Sequence, residues 1–348
     1  MINQLTTEEF IQQAATLPVL DVRAPAEYAA GHIPGAVSFP LFTDEERKQV
    51  GTAYKQISRD KAILIGLDLF GPKMSGFVKE ATKLAPAKEV LLHCWRGGMR
   101  SSSVAWLLDL AGFKVNLLQR GYKDYRNFAL NQFEQNYPLV VLGGLTGSGK
   151  TEILHQLQQV GDQIIDLEKL AHHKGSSFGV IGQPPQTTIE QFENDLALAL
   201  YGQVKTKRLW LEDEGISIGK VNIPKLFYDQ MQAATLIKLE IPKAERIRKL
   251  SREYCQTDKT LLTEAILRIK KRLGGLATKE ALLAIETGDM EKMVELALVY
   301  YDKAYTFQLA KKNPANIITI ALTTTNAQEN AEHILEVLQK KQVLIKER

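Results

Sequence analysis

Two short stretches of this chain have the residue types and spacing to do chemistry. The first is Cys94-Trp95-Arg96-Gly97-Gly98-Met99-Arg100, running into Ser101. The second is Gly144-Leu145-Thr146-Gly147-Ser148-Gly149-Lys150-Thr151. A cysteine reacts as its thiolate, which needs positive charge and hydrogen-bond donors around the sulfur. Gly97 and Gly98 let the backbone curl so that several N–H groups converge on one centre. Arg96 and Arg100 add charge, and Ser101 opens a helix whose N-terminus favours an anion. The plain alternative is a buried cysteine beside an ordinary turn. The glycine-rich run closing on Arg100 at a strand–helix junction favours the reactive reading, with Cys94 as the catalytic residue.

The second stretch satisfies G-x-x-x-x-G-K-[ST], a phosphate-binding loop. Gly144, Gly147, Ser148 and Gly149 expose backbone N–H groups to phosphate oxygens. Lys150 supplies a point charge, and the Thr151 hydroxyl suits Mg²⁺. Asp166, Asp213 and Glu214 are the candidates for an Mg²⁺ ligand or a base, set against the plain reading of Glu212 to Glu214 as a solvated strand end. No base-specificity motif is evident, so a nucleotide and another diphosphate both remain open as the ligand. Residues 174–179, with 183–186 after them, form either an irregular connection or a substrate clamp. His172 and His173 have no third ligand nearby, and the two cysteines, Cys94 and Cys255, show no zinc spacing. No structural metal site is expected.

Strands that end where these loops begin must position them. Residues 18–22, 36–39, 89–93 and 114–118 read as short apolar strands, with helical spacing over 101–110. That alternation predicts a parallel sheet covered by helices. Polar, aromatic residues follow to Tyr137, and Pro138 breaks the pattern, dividing the chain into domains 1–136 and 137–348. In the second, strands are expected at 139–143, 163–166 and 208–212, with a helix from Thr151. From Pro242 the character turns helical, over 243–255, 261–273, 279–285 and 290–309. Gly274-Gly275 ends one helix and Asp289 caps another. A strand at 316–321 and a helix at 327–340 close an α/β domain with a helical C-terminal part.

The chain has 348 residues, 45% hydrophobic and 24% charged, which suits two ordinary globular domains. MINQLTTEEF lacks a basic segment followed by an apolar run, so no signal peptide is expected, and no stretch reaches the apolar length of a membrane span. Cytoplasmic location without a membrane partner is the expectation. Residues 243–272 carry ten Lys/Arg against four acids, a local excess of +6 where the whole chain has +4. Arg246, Arg248, Lys249, Arg252, Arg268, Lys270, Lys271 and Arg272 are therefore candidates for a polyphosphate backbone, with a solvated helix face as the alternative.

The cysteine loop resembles that of the rhodanese family, as does the run from Asp21 through Glu27 and His32 to Ala36, which that resemblance makes mostly scaffold. Rhodanese-like domains carry sulfur or selenium on the cysteine. A rhodanese-like domain before a P-loop NTPase-like domain is similar to the bacterial tRNA 2-selenouridine synthase family. The likeness runs over essentially the full length, through Gly121 to Arg126, Asp166 to Glu168, Gly175 to Gly179, Trp210 to Glu214, Arg272 to Gly275 and Tyr300 to Tyr305.

This resemblance implies tRNA carrying wobble 2-thiouridine as partner. It implies geranylation of the sulfur from geranyl diphosphate, then replacement of the S-geranyl group by selenium from selenophosphate, with Cys94 as carrier. Arg96, Arg100 and the loop N–H groups would hold selenophosphate, and the phosphate loop would grip the diphosphate. A selenophosphate-supplying enzyme is a further partner candidate. No tightly bound cofactor is expected, with Mg²⁺ the candidate ion. The rival is a rhodanese-regulated P-loop ATPase or kinase.

Overall fold

A computed structural model describes residues 1–340. The chain divides into two compact units, Met1–Gln132 with Glu190–Leu198, and Phe133–Ile189 with Ala199–Arg348.

The first unit is built on strands β1 (Ile2–Leu5), β2 (Val19–Asp21), β3 (Val37–Ser38), β4 (Glu89–His93) and β5 (Lys114–Leu118). They pair in the order β1-β5-β4-β2-β3, all parallel. The inner strands β2, β4 and β5 are apolar and buried along nearly their whole length, as strands covered on both faces must be. Leu20, Val22, Val90, Leu92 and Val115 meet Val104 and Leu108 of the helix Met99–Leu110 in one core. The outer strand β1 and the helices Asp44–Gln56, Arg59–Phe70 and Met74–Leu84 add to the elements expected from the pattern. Helix starts follow local chemistry. Thr43 accepts from the Glu46 N–H while the Glu46 side chain returns to the Thr43 N–H.

Residues 190–198 belong to this unit although they follow the phosphate loop in sequence. Their helix, Ile189–Tyr201, is fixed by polar contacts. Tyr122 donates to Glu190 at 2.7 Å, Asn194 donates to the Tyr122 oxygen and the His32 carbonyl, and Arg126 pairs with Glu193.

The second unit contains β6 (Leu139–Gly144), β7 (Gln163–Ile164), β8 (Leu209–Glu212), a small antiparallel pair β9 (Ser217–Ile218) and β10 (Val221–Asn222), then β11 (Thr235–Glu240) and β12 (Ile317–Ala321). The main sheet runs β12-β11-β6-β8-β7, all parallel, with the fully buried β6 at its centre. The helices Lys150–Gln159 and Ala327–Lys340 cover it through Ile153, Leu154, Leu157, Ile334 and Leu338. The helices Lys243–Tyr254, Lys259–Leu273, Gly275–Thr287 and Met290–Leu309 form a separate apolar cluster around Leu262, Ile266, Met293 and Leu298. Gly274 closes one of them and Asp289 caps the last by accepting from the Lys292 N–H. No helix among the described residues is long and apolar enough to cross a membrane.

Candidate active sites

Both chemical stretches sit where a central parallel strand ends, the position at which open α/β sheets bind ligands. Cys94 follows β4 directly. Its sulfur lies 3.2 Å from the Ser101 hydroxyl oxygen and 3.9 Å from the Gly98 carbonyl, and the residue is 3% exposed. The loop is braced from Gly121, whose φ is +66°. A Cβ there would collide with the Cys94 carbonyl oxygen and stand 2.5 Å from the Gly97 nitrogen, so only glycine allows this approach.

Arg100 donates to both carboxylate oxygens of Glu27, at 2.5 and 3.2 Å. Glu27 also accepts from the Ala24 N–H and lies 3.8 Å from Arg47. Its carboxyl is held below the ordinary glutamate range: burial opposes this, but the Arg100 hydrogen bonds and charge outweigh it. Arg96 is exposed, as are Gly98 and Met99. Beneath the loop, Asp21 and Arg23 form a fully buried ion pair at 2.6 Å, with Arg23 stacked 3.7 Å from the Tyr122 ring centre. His93 is wholly buried, and desolvation lowers its imidazole pKa against the raising charge of Asp21. His32 stacks on Tyr28 at 3.9 Å. A cleft of about 420 Å³ beside the loop is lined by Glu27, Arg47, Trp95, Arg100 and Glu190.

In the second unit Gly144 ends β6, and Gly147 and Gly149 take φ of +83° and +75°. Gly149 starts the helix that carries Lys150 and Thr151. Lys150 Nζ donates to the Gly144 carbonyl at 3.3 Å, folded back over the loop it would otherwise serve with a ligand. Ser148 Oγ is buried without a hydrogen-bond partner. The loop is held from behind by Arg246, which is 2% exposed, donates to the Thr146 carbonyl at 3.1 Å and pairs with Asp302 at 2.8 Å. A narrow apolar crevice of about 10 Å³ adjoins Thr146, lined by Phe178, Leu250, Tyr254, Met293 and Leu298.

The acids divide by surroundings. Asp166 caps the short helix Leu167–Ala171 and meets His155 at 3.1 Å. Asp213 pairs with Lys312 at 2.6 Å and accepts from Tyr305. Glu214 instead gathers with Glu168 and Glu212, their carboxylates within 4.8 Å of one another. Burial, then repulsion from neighbouring carboxylates, pushes Glu168 up to about 9 and Glu214 up to about 8 against the Lys150 charge, and burial pushes Glu212 upward, again against Lys150. Neither Glu168 nor Glu212 stands among the acids that the sequence nominates. The available signal was the acid at the end of a buried strand adjacent to the phosphate loop strand.

Of the basic candidates, Arg246 is internal, and Lys249 is partly buried between Glu152 and Glu253. Arg248, Arg252, Arg268, Lys270, Lys271 and Arg272 are exposed. Arg248 and Arg268 pair with acids on their own helices, and Arg272 donates to Tyr300.

The sequence matches two family models, "Rhodanese-like domain" over residues 6–128 and "tRNA 2-selenouridine synthase AAA domain" over residues 137–342. Among curated relatives, a tRNA 2-selenouridine synthase of Shewanella frigidimarina is 36% identical, over 85% of this chain and 89% of the relative. One from Shewanella loihica is 38% identical, over 85% and 88%. A crystal structure of a tRNA isopentenylpyrophosphate transferase from Bacillus halodurans aligns over 60% of this chain and 99% of its own. It shows 13% identity and a TM-score of 0.33, too slight a likeness to carry an argument.

Proposed function

This chain belongs to the tRNA 2-selenouridine synthase family, a family of transferase-type tRNA-modifying enzymes, and from that premise we propose a two-step exchange at the wobble base. In the first step the sulfur of 2-thiouridine attacks C1 of geranyl diphosphate. The C–O bond breaks and pyrophosphate leaves. The loop from Gly144 to Thr151 would grip the diphosphate, and Lys150, released from the Gly144 carbonyl, would stabilise the departing charge. The geranyl chain would enter the apolar crevice beside Thr146, which has to widen to admit it.

In the second step selenium carried on Cys94 attacks C2 of the base. The C2–S bond breaks and geranyl thiol leaves, a better leaving group than the unalkylated sulfur. Selenium in selenophosphate is already at the selenide level. Water would cleave the Se–P bond, releasing phosphate and selenide; selenide then displaces a small thiol from a mixed disulfide at Cys94, forming the perselenide, and after transfer to C2 a second thiol reduces the Se–S bond and returns the two electrons. Arg96, exposed at the loop, suits the selenophosphate anion, while Arg100 acts with Glu27 to hold the loop. The exposed cations of residues 248–272 would take the tRNA backbone.

The observation that carries this reading is a near-buried cysteine sulfur in a glycine-arginine loop on the same chain as a complete phosphate loop. The test is mass spectrometry of nucleosides from thiolated tRNA incubated with the protein, geranyl diphosphate and selenophosphate, each donor omitted in turn. Geranylated thiouridine without selenophosphate, and selenouridine with both, is the expected result. Unchanged thiouridine in every tube, with saturable ATP turnover in the absence of tRNA, would favour the P-loop ATPase instead.

A further inference from the structure

The helix Asp44–Gln56 borders a cavity of about 500 Å³ in the first unit. Arg47, Lys48 and Lys55 of that helix line it together with Arg100 of the cysteine loop, and no acid does. Arg47 and Arg100 both face Glu27. Lys48 and Lys55 are exposed and form no ion pair or side-chain hydrogen bond among the described residues. The acids that open the helix do not answer them. Asp44 accepts from the Ala26 N–H, Glu46 pairs with Lys73, and Glu45 stands outside the lining. A concave wall of uncompensated cations draws an anion.

Three further observations narrow the anion. Lys48 and Lys55 stand two helical turns apart, about 10 Å, which is longer than one phosphate spans. Tyr54, 52% exposed, puts an aromatic ring in the wall beside them, and nucleobases stack on such rings. Gly51 lies between, in the middle of the helix, where glycine is among the least favourable residues. A Cβ there would meet nothing within 4 Å, so packing does not require the glycine. It leaves the wall low where an occupant has to lie close to the backbone.

We propose that this cavity holds the single-stranded RNA next to the base being modified, with a nucleotide flanking the wobble position stacked on Tyr54 and its phosphates on Lys48 and Lys55. Arg47 and Arg100 also line the cleft beside the Cys94 loop, so the two hollows share a wall. A strand held in the larger one leads its neighbouring base past Arg47 toward Cys94. The inference rests on the tRNA reading and adds where the anticodon strand lies: on the cysteine-bearing unit itself, in addition to the basic residues 248–272. Lys48, Tyr54 and Lys55 are positioning residues in this scheme.

The experiment measures binding of an anticodon stem-loop RNA, with 2-thiouridine at the wobble position, to the full-length protein by fluorescence anisotropy across a salt series. Lys48→Ala with Lys55→Ala should weaken binding about tenfold and lower the salt slope by about 1. Tyr54→Ala should weaken it severalfold with the slope unchanged, and Tyr54→Phe should retain it. Gly51→Leu should weaken it at least about fivefold while raising the thermal midpoint, since leucine favours a helix more than glycine does. A purely structural role for Gly51 predicts the opposite pairing. RNA affinity left unchanged by all of these variants, with normal binding by the unaltered protein, overturns the inference alone. So does a higher KM for selenophosphate or geranyl diphosphate at unchanged RNA affinity, which assigns the cavity to a small anion. An unaltered protein that binds no RNA overturns the inference together with the tRNA reading.

Discussion

Lys312 Nζ lies 2.6 Å from Asp213 Oδ1, and both side chains are less than a tenth exposed. The pair joins the end of β8 to the segment before β12, and it neutralises the aspartate that sequence spacing nominates for a cation. Removing one partner of a buried pair leaves the other charged and unpaired, which costs about 3 kcal/mol or more. Lys312→Ala should therefore destabilise the protein by that order in chemical denaturation. Adding Asp213→Ala to it should recover much of the loss.

Gly121 governs the cysteine loop from outside it. Gly121→Ala places a methyl against the Cys94 carbonyl and the Gly97 nitrogen at a backbone conformation alanine resists. Local strain of about 1–3 kcal/mol is expected, relieved by displacement of the loop. Alkylation of Cys94 by iodoacetamide should change severalfold in rate, while residues remote from the loop keep their hydrogen-exchange protection.

The two chemical stretches should separate by mutation. Cys94→Ala should abolish selenation and keep geranylation, since alkyl transfer to sulfur needs no enzyme thiol. Lys150→Ala should slow geranylation by about two orders of magnitude, the scale of losing one charge-stabilising group. Single-turnover nucleoside analysis distinguishes them. A folded Cys94→Ala protein that fails to geranylate would overturn this division.

Glu168 and Glu214 hold protons in the folded, metal-free protein up to about pH 9 and about pH 8, whereas unfolded glutamates release them near 4.5. The folded state binds more protons throughout that window. Its stability should fall as pH rises from about 5 to about 9, by several kcal/mol. Glu168→Gln should flatten the fall. Urea midpoints at several pH values in the presence of a chelator provide the measurement.

Exposure sorts the basic residues into two kinds. Lys270→Ala with Lys271→Ala should weaken tRNA binding and lower the salt slope by about 1 for each phosphate no longer neutralised, without altering the thermal midpoint. Arg246→Ala should lower the thermal midpoint instead, because it removes the brace between Thr146 and Asp302. Filter binding across a salt series and thermal melts read both.

Much of the site was legible because its signals are local. The phosphate loop needs glycines at positions that adopt positive φ, and Gly147 and Gly149 do so. The Asp289 cap and the Gly274 stop depend on residues within one turn. The cysteine at a strand end before a helix follows from the apolar run of β4 and the small residues after it. Where a signal requires distant partners, local reading loses its hold. Arg246 sits in a basic run that reads as a surface, yet it turns inward because Asp302 and the Thr146 carbonyl accept its hydrogen bonds there.

By itself, then, the sequence determined the two glycine-rich loops, their order along the chain, and the alternation of strand and helix that makes parallel sheets. These rest on backbone geometry that neighbouring residues dictate. Only the tertiary structure decided that residues 190–198 join the first unit through Asn194 and Glu190. The same holds for Arg100 resting on Glu27, and for Glu168, Glu212 and Glu214 meeting while Asp213 turns to Lys312. Those outcomes turn on which charges become buried together. Burial is a property of packing between segments far apart in the chain, and no local pattern records it.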